Sequence, residues 1–196
     1  MAAAAIVIAT QRAPWSNAPL ALVPWSDDAT LIEFTVRQLQ RAGVRDIEVV
    51  LGEDADEIIP LISIDNVEPI IDPRWRSGRA SSLRVGASAV PRGTEHGLLA
   101  NVDEPRPAWV YERMIDEHVS RGSAVTRPAY RETAGAPIVV NDRVLAELRN
   151  VVDDAAADAI INGSEGVNTI PFDDEIVVLR LDSKAAYERA RALMAG

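Results

Sequence analysis

Residues 4–22 read AAIVIATQRAPWSNAPLAL, and this stretch decides how the chain begins to fold. The apolar run at 4–9 predicts a buried first strand, and a helical pattern begins beyond the turn that follows it. In many α/β proteins the turn after such a strand is a glycine-rich loop that holds phosphate. Here the turn contains Gln11, Pro14, Trp15 and Asn17 but no glycine. The question is what this turn does without the residues that hold phosphate.

Composition limits the classes of protein and partner. The chain has 196 residues, 47% of them hydrophobic, which predicts one α/β domain over residues 1–196 with a proper core. The formal net charge of −10 repels polyanions, so we expect no general nucleic-acid binding. No apolar run approaches the roughly 20 residues that span a bilayer, so we expect no membrane partner. The absence of cysteine excludes disulfides and is compatible with the cytoplasm, where we expect the protein.

Strand-like and helix-like segments alternate along the chain. We predict strands at 6–9, 46–51, 67–71, 97–102, 123–126, 137–140, 167–170 and 176–181. Between them we predict helices, the first capped by Asp27 or Asp28, the third begun by Ser81 or Ser82, and the last begun by Ser183. This alternation predicts a three-layer α/β/α sandwich around a mainly parallel, twisted sheet. Ligands bind at the carboxyl ends of strands in such sheets, so the residues to watch follow the strands.

Two aspartates stand at predicted strand ends. Asp103 ends the apolar run LLANV, and Asp182 ends VVLRL just before Ser183. Carboxylates in such places can hold a divalent cation such as Mg²⁺ through oxygen. The commoner role of an aspartate at such a place is to cap the turn or helix that follows it. The sequence leaves both alternatives open.

The segment DPRWRSGRASSLR at 72–84 concentrates arginine in an acidic protein. Arginines beside a helix N-terminus make a sound anion site, and an indole can stack on a base or a pterin ring. The competing interpretation is a solvated loop whose tryptophan packs on the body and whose arginines pair with the many acids. The candidate substrate-binding residues are Arg74, Trp75, Arg76, Gly78, Arg79, Ser81, Ser82 and Arg84.

The two histidines do not support Ser-His-Asp chemistry. His96 precedes a predicted strand and His118 lies near the polar end of a predicted helix, so both are expected at the surface. We therefore assign no catalytic residue from the sequence.

Several stretches, in order, resemble the MobA-like nucleotidyltransferases, and more closely the branch that attaches CMP to molybdopterin. They are residues 30–52, DPRWRSGRASSLRVGASAV at 72–90, GLLANVDEP at 97–105, GAPIVVNDRVLAEL at 135–148 and LDSKAAYERA at 181–190. The resemblance implies a nucleotidyltransferase (GT-A/Rossmann-like) fold. It also implies transfer of a nucleoside monophosphate from an NTP to a phosphorylated acceptor, with release of pyrophosphate and with Mg²⁺ held by Asp103 and Asp182.

The first loop departs from the family pattern, in which glycines, an arginine and a lysine hold the triphosphate. If Pro19 matches the family's proline before the lysine, Gln11 and Ala13 replace two of the glycines. Trp15 and Leu20 then replace the arginine and the lysine, and Arg12 is the one cation left nearby. Further along, Ala136 stands at the family's histidine and Arg180 at the first aspartate of its Asp-x-Asp.

Three hypotheses follow. In the first, the chain has lost NTP transfer and binds a nucleotide, an anionic pterin-type ligand or a partner protein of cofactor maturation. In the second, it is a working Mg²⁺-dependent nucleotidyltransferase that holds phosphate through other residues, Arg12 among them. In the third, it is a structural or oligomeric protein without a small-molecule role.

Overall fold

The first strand lies inside a mixed sheet. The computed structural model describes residues 3–163 and 166–194. Its strands are β1 (Ala3–Ala9), β2 (Asp46–Leu51), β3 (Val67–Ile71), β4 (His96–Asn101), β5 (Val125–Tyr130), β6 (Thr133–Ala134), β7 (Ile138–Asn141) and β8 (Val167–Phe172). Within the described ranges these eight strands follow the order β3-β2-β1-β4-β7-β5-β6, with β8 beside β5.

The sheet is only partly parallel. β3, β2, β1 and β4 pair in parallel, as predicted, and β8 pairs in parallel with β5. β7 runs antiparallel to both β4 and β5, so the sheet is mixed rather than purely parallel, although most of its pairings are parallel as predicted. The reason is the short connections between β5, β6 and β7, because such turns join antiparallel neighbours and leave no room for a crossover helix.

Helices cover both faces of the sheet, which confirms the three-layer sandwich. They are α1 (Leu31–Arg41), α2 (Ala55–Ile62), α3 (Arg79–Ala89), α4 (Ala108–Arg121), α5 (Asp142–Leu148), α6 (Asp154–Gly163) and α7 (Lys184–Met194). Alternate residues of β1 enter two separate cores, since Ala5 and Val7 pack with α1 and α4 whereas Ile6 and Ile8 pack with α3 and α5. Among the described residues, no helix combines the length and hydrophobicity needed to cross a membrane.

Several predicted helix starts hold. Asn141 accepts the Val144 N–H at the start of α5, and Asp153 and Ser183 accept N–H groups at the starts of α6 and α7. The start of α1 was assigned wrongly, because Thr30 and Glu33 form a reciprocal capping box there, leaving no capping role for Asp27 or Asp28. The third helix begins at Arg79, earlier than Ser81 or Ser82.

The predicted strand at 176–181 is also wrong. A short 3₁₀ turn occupies Glu175–Val177, and an irregular segment continues from it to α7. The apolar run is buried, but the carbonyls of Val177 and Leu179 accept hydrogen bonds from the guanidinium of Arg106 instead of joining a strand ladder. Hydrogen bonds from the side chain of Arg106, which is distant in sequence, have replaced the strand pairing that the pattern predicts.

The prediction that both histidines lie at the surface is wrong. His118 is buried, its ring lies 5.2 Å from that of His96, and its Nδ1 lies 2.8 Å from Thr126 Oγ1. Burial, and to a lesser degree His96, lowers the pKa of His118 to about 4. As the pH falls from about 6.5 towards 4, the unfolded chain binds a proton at His118 that the folded protein does not bind, so the free energy of unfolding decreases.

Glu48 is a buried carboxyl in the middle of β2. Its Oε2 has no hydrogen-bond partner in the described part of the chain, and Glu68 lies opposite it on β3. Burial, with the charges of Glu68 and Asp46, raises the pKa of Glu48 to about 7. The folded state thus prefers the protonated carboxyl, so this group lowers the free energy of unfolding as the pH rises from about 4.5 to about 7, and the loss stays constant at higher pH.

We predict that Glu48→Gln stabilises the protein at pH 8 by roughly 1–3 kcal/mol, since an amide of the same size removes the buried charge. The gain should shrink as the pH falls from 7 and vanish below about 4.5, where the carboxyl is protonated in both states. Urea unfolding at pH 8 and pH 5 measures it. Glu68→Gln, at the exposed partner position, is the control and should gain much less. An equal gain at both pH values would contradict the account.

Candidate functional site

A cleft opens at the carboxyl ends of the parallel strands, the place that the fold predicts. Its volume is about 750 Å³, and its walls come from the ends of β1 and β4, the start of α3, and the segments near residues 135 and 180. The lining residues used below are Gln11, Trp75, Arg76, Gly78, Arg79, Ser82, Asn101, Glu104, Ala136 and Arg180. Another hollow, of about 710 Å³, lies between α1 and α7, away from the strand ends.

Arg106 holds the rim of the cleft together from inside. Its side chain is fully buried, and its guanidinium donates to the carbonyls of Pro105, Ala136, Val177 and Leu179 at 2.8–2.9 Å. Burial lowers the pKa of Arg106 from its usual high value. Three segments distant in sequence are thereby fixed side by side: the loop after β4, the loop before β7, and the segment before α7.

Gly135 allows two of these segments to meet. A Cβ at this position would lie 2.1 Å from the carbonyl oxygen of Val177, the same oxygen that accepts from Arg106. The neighbouring Ala136, whose peptide bond to Pro137 is cis, donates its N–H to that oxygen at 2.9 Å. Only a glycine leaves room for this approach.

The first loop is closed by its own hydrogen bonds. Ala13 N–H donates to Ala18 O at 2.8 Å, Asn17 N–H to Ala13 O at 2.8 Å, and Leu20 N–H to Gln11 O at 2.9 Å. An antiparallel bridge joins Arg12 to Pro19, and Asn17 takes a left-handed φ of 56° to complete the turn. These N–H groups are donors that a phosphate-binding loop would direct at its ligand.

The side chains of the loop also point away from a phosphate role. Arg12 donates to both carboxylate oxygens of Asp54, at 2.8 and 3.0 Å, and to the carbonyl of Asn17. Trp15 packs against Tyr187 of α7, with ring centroids 5.4 Å apart, and Leu20 is buried in the core. Trp15 and Leu20 therefore fasten the loop to the body of the protein. Gln11 lines the cleft with a buried Oε1 that has no partner among the described residues.

Ser81 and Ser82 bind a buried carboxylate. Asp72 accepts both hydroxyls at 2.9 Å, and it also accepts the backbone N–H of Arg74. Arg84 donates to the carbonyl of Val151 at 3.0 Å. These contacts hold the start of α3 against the strand ends, and they occupy both predicted hydroxyl groups.

Trp75, Arg76 and Arg79 of the arginine-rich segment line the cleft, whereas Arg74 is not among its lining residues. Arg76 and Arg79 each pair with an acid, Glu53 and Asp158, at 2.5 Å. The guanidinium carbon of Arg76 lies 4.3 Å from the centroid of the Trp75 ring. Arg74 is exposed. This pairing resembles the competing interpretation of the sequence, in which the arginines meet the acids.

The N-terminus of α3 already has an anionic partner. Asp154 Oδ1 accepts the Ala80 N–H at 2.7 Å, and a Cβ at Gly78 would lie 2.7 Å from the other oxygen of the same carboxylate. Gly78 has a φ of 117°, which favours glycine independently. A carboxylate of the chain itself thus lies at the helix end that was predicted to attract a ligand anion.

Asp103 is paired with Arg180. The Arg180 Nε donates to Asp103 Oδ2 at 2.6 Å, and Asp103 raises the pKa of Arg180. The second oxygen, Oδ1, is buried and has no partner within the described chain. Asp182 is exposed at the start of α7.

These residues do not fit a divalent cation. No group of three or more His, Asp or Glu side chains in the described ranges converges as metal ligands do. Asp103 offers one unpartnered oxygen, and the guanidinium on its other oxygen would repel a nearby dication.

The sequence reasoning assigned no role to Asn101, Glu104 or Arg106, although Glu104 directly follows the predicted strand end at Asp103. Asn101 Nδ2 donates to Glu104 Oε2 at 2.7 Å, and both residues line the cleft. A signal existed for Arg106, since an arginine between two prolines directly after a buried strand is unusual for a solvated loop. Its four acceptors lie up to 73 residues away, and no local pattern names them.

We predict that Gly135→Ala destabilises the protein by roughly 1–3 kcal/mol, because its Cβ must displace the Val177 carbonyl from Arg106. Gly163→Ala, where no described atom beyond the chain neighbours and the backbone of its own helix lies within 4 Å of the new Cβ, is the matched control. It should change stability by less than about 0.5 kcal/mol. Thermal and urea unfolding of both variants measure the difference, and equal effects would refute the close approach.

Solved structures share this architecture. A homologue of Mycobacterium tuberculosis Rv0371c from Mycobacterium sp. strain JC1 aligns with a TM-score of 0.80 and 25% identity, over 98% of this chain and 96% of that chain. The complex of Rv0371c with manganese, from M. tuberculosis H37Rv, aligns with a TM-score of 0.78 and 22% identity, over 98% and 99%. A nucleotidyl transferase from Methanothermobacter thermautotroptrophicus aligns with a TM-score of 0.78 and 20% identity, over 97% and 96%.

The sequence itself carries the family assignment. No curated protein gives a significant match to the chain. A model of the MobA-like NTP transferase domain matches residues 6–168, which include β1, the first loop, the arginine-rich segment and most of the cleft. The chain therefore belongs to the family of MobA-like NTP transferase domains.

Proposed function

We propose that this chain is a family member with impaired NTP transfer that binds a ligand or a partner protein in cofactor maturation. The observation that carries the proposal is the closed first loop, whose N–H groups at Ala13, Asn17 and Leu20 bond within the loop itself. Removing one preorganised donor of an oxyanion costs on the order of 10²–10³ in rate, and here several are turned inward together. The related activity is cytidylyl or guanylyl transfer to molybdopterin.

The charges around the loop support the same conclusion. A triphosphate brings several negative charges into a protein whose net charge is −10. The one cation of the loop, Arg12, is held by Asp54 through two hydrogen bonds. Leu20 lies in the core, so a lysine there would bury its charge at a cost of several kcal/mol. Neutralising a triphosphate would require the loop to open and these contacts to break.

The proposal assigns no step to Mg²⁺. Asp103 and Asp182 were the expected ligands, but one is paired with Arg180 and the other is exposed. A cation on the other oxygen of Asp103 would lie close to the guanidinium and be repelled by it. The cleft is instead suited to a ligand that needs no metal for its binding, such as an anionic pterin or a nucleotide whose triphosphate is not bound by the loop.

An active Mg²⁺-dependent nucleotidyltransferase is the second candidate. The buried Oδ1 of Asp103 favours it, since that oxygen has no partner among the described residues and can serve as a ligand atom. The manganese complex of Rv0371c indicates that a related fold accepts a divalent cation. In this alternative, Arg180 leaves Asp103 when an NTP and its metal enter the cleft.

Pyrophosphate release separates the two candidates. We predict no release above the uncatalysed rate when the protein is mixed with molybdopterin, Mg²⁺ and CTP, GTP or ATP, because the loop presents too few donors to the triphosphate. Release that Asp103→Ala abolishes, and that the exposed-site control Asp116→Ala leaves unchanged, would establish the active enzyme and overturn the proposal.

Ligand binding tests the positive half of the proposal. We predict that molybdopterin alone raises the melting temperature, because a ligand that binds only the folded state stabilises it. Mg-CTP at the same concentration should raise it less. If neither compound changes the melting temperature, the cleft has no small-molecule role, and the result favours a structural protein.

A further inference from the structure

Arg180 enters the cleft with one side of its guanidinium already bound. Its side chain is 64% exposed, yet its Nε donates to Asp103 Oδ2 at 2.6 Å. This is the one hydrogen bond that the structure gives the Arg180 side chain in the described ranges. A guanidinium carries five N–H donors, so the two Nη groups keep four donors for a ligand in the cleft.

The backbone around Arg180 is fixed on both sides. The carbonyl of Leu179 accepts from Arg106 at 2.9 Å, and the N–H of Leu181 donates to the carbonyl of Asp103 at 2.8 Å. Arg180 is therefore held against the loop after β4 by hydrogen bonds on the residues before and after it. A donor group placed in this way loses little further freedom when it binds an anion.

The charges of the site favour an anion over a cation at this point. Asp103 is only 7% exposed, and the guanidinium compensates its buried charge. The cleft lining includes three arginines, Arg76, Arg79 and Arg180, and each is paired with an acid, while Glu104 and Asp182 also act on the charge of Arg180. Arg76 and Arg79 each give an Nη atom to an acid, whereas Arg180 gives its Nε and keeps the fork of its Nη atoms open.

We propose that the Arg180 guanidinium, anchored by Asp103, binds the anionic group of the cleft's ligand directly and without a divalent cation. The group is an oxyanion of carboxylate or phosphate-monoester type, whose two oxygens match the two Nη groups. The inference rests on the proposed function, since it describes how the cleft of a protein impaired in NTP transfer holds its ligand. Arg180 thus takes the place of the metal ion in charge compensation.

Titration with inorganic phosphate, in protein and buffer freed of divalent cations by a chelating resin, tests this role, with sodium acetate as a parallel probe for carboxylate. Binding is followed by NMR through the Nε–H signals of the arginines. We expect saturable phosphate binding by the wild-type protein and at least tenfold weaker binding by Arg180→Gln. The stronger of the two probes identifies the class of oxyanion.

Arg121→Gln is the matched control. Arg121 also donates its Nε to an acid, Glu117, at 3.0 Å, and its side chain is 55% exposed, but it lies on α4 outside the cleft. Its loss should leave phosphate binding unchanged. Equal weakening by Arg121→Gln and Arg180→Gln, no saturable binding by the wild type, or binding that requires a divalent cation would each overturn the inference.

Binding of manganese alone gives a second measurement, which does not depend on the Arg180→Gln variant and can be made even if that variant fails to fold. Electron paramagnetic resonance counts the free Mn²⁺ in protein solutions. We expect wild type and Asp103→Asn to bind Mn²⁺ equally weakly, and Arg180→Asp to gain a tighter site because a carboxylate replaces the repelling guanidinium. Tight binding by wild type that Asp103→Asn abolishes would overturn the inference.

The outcomes separate this inference from the proposed function. Phosphate binding that ignores Arg180, together with no pyrophosphate release, refutes the role of Arg180 and leaves the proposed function standing. Pyrophosphate release refutes the proposed function, whatever the phosphate titration gives.

Discussion

The site depends on one fully buried arginine. Arg106 donates four hydrogen bonds to carbonyl oxygens, and those oxygens belong to three segments that no strand ladder joins at that point. A buried guanidinium is tolerated only when its donors are satisfied, so the segments must come together for the charge to be solvated by the protein. The same requirement explains the glycine at 135, the 3₁₀ turn in place of a last strand, and the fixed position of Arg180.

Around this clamp the chain keeps the architecture of its family and changes the chemistry at the strand ends. The loop after β1 bonds to itself and is fastened to the body by Trp15 and Leu20. The carboxylate after β4 pairs with an arginine. Both changes remove charge and donors that a triphosphate and its metal need. A fold does not fix a function, and here the residues at the cleft, rather than the sheet, decide what can bind.

Much of the fold could be predicted from the sequence, because strand and helix periodicity is a local property. Local patterns were enough to predict the parallel half of the sheet, the three layers, and the caps at Asn141 and Ser183. The antiparallel β7 was missed because strand order depends on which neighbours a short turn permits. The run at 176–181 has strand-like periodicity, yet Arg106 takes its carbonyls from far along the chain.

The candidate site was predicted in position but not in its contacts. Residues of the loops at 9–20 and 72–84 line one cleft together with Asn101 and Glu104, on either side of Asp103 in the sequence. Partners such as Asp103 and Arg180 lie far apart in the sequence. The chain has many charged residues of both signs, so the sequence alone does not indicate which arginine pairs with which acid. The sequence also did not indicate that the hydroxyls of Ser81 and Ser82 donate to Asp72 instead of facing a ligand.

The central claim is that the closed loop and the Asp103–Arg180 pair exclude a metal-bound triphosphate. Anomalous diffraction at the manganese edge, from crystals grown with CTP and Mn²⁺, tests it most directly. The account predicts no manganese peak beside Asp103, the Arg180–Asp103 hydrogen bond intact, and Ala13 still bonded to Ala18. A manganese ion about 2.2 Å from an Asp103 oxygen, with Arg180 displaced and the loop open around the triphosphate, would contradict it.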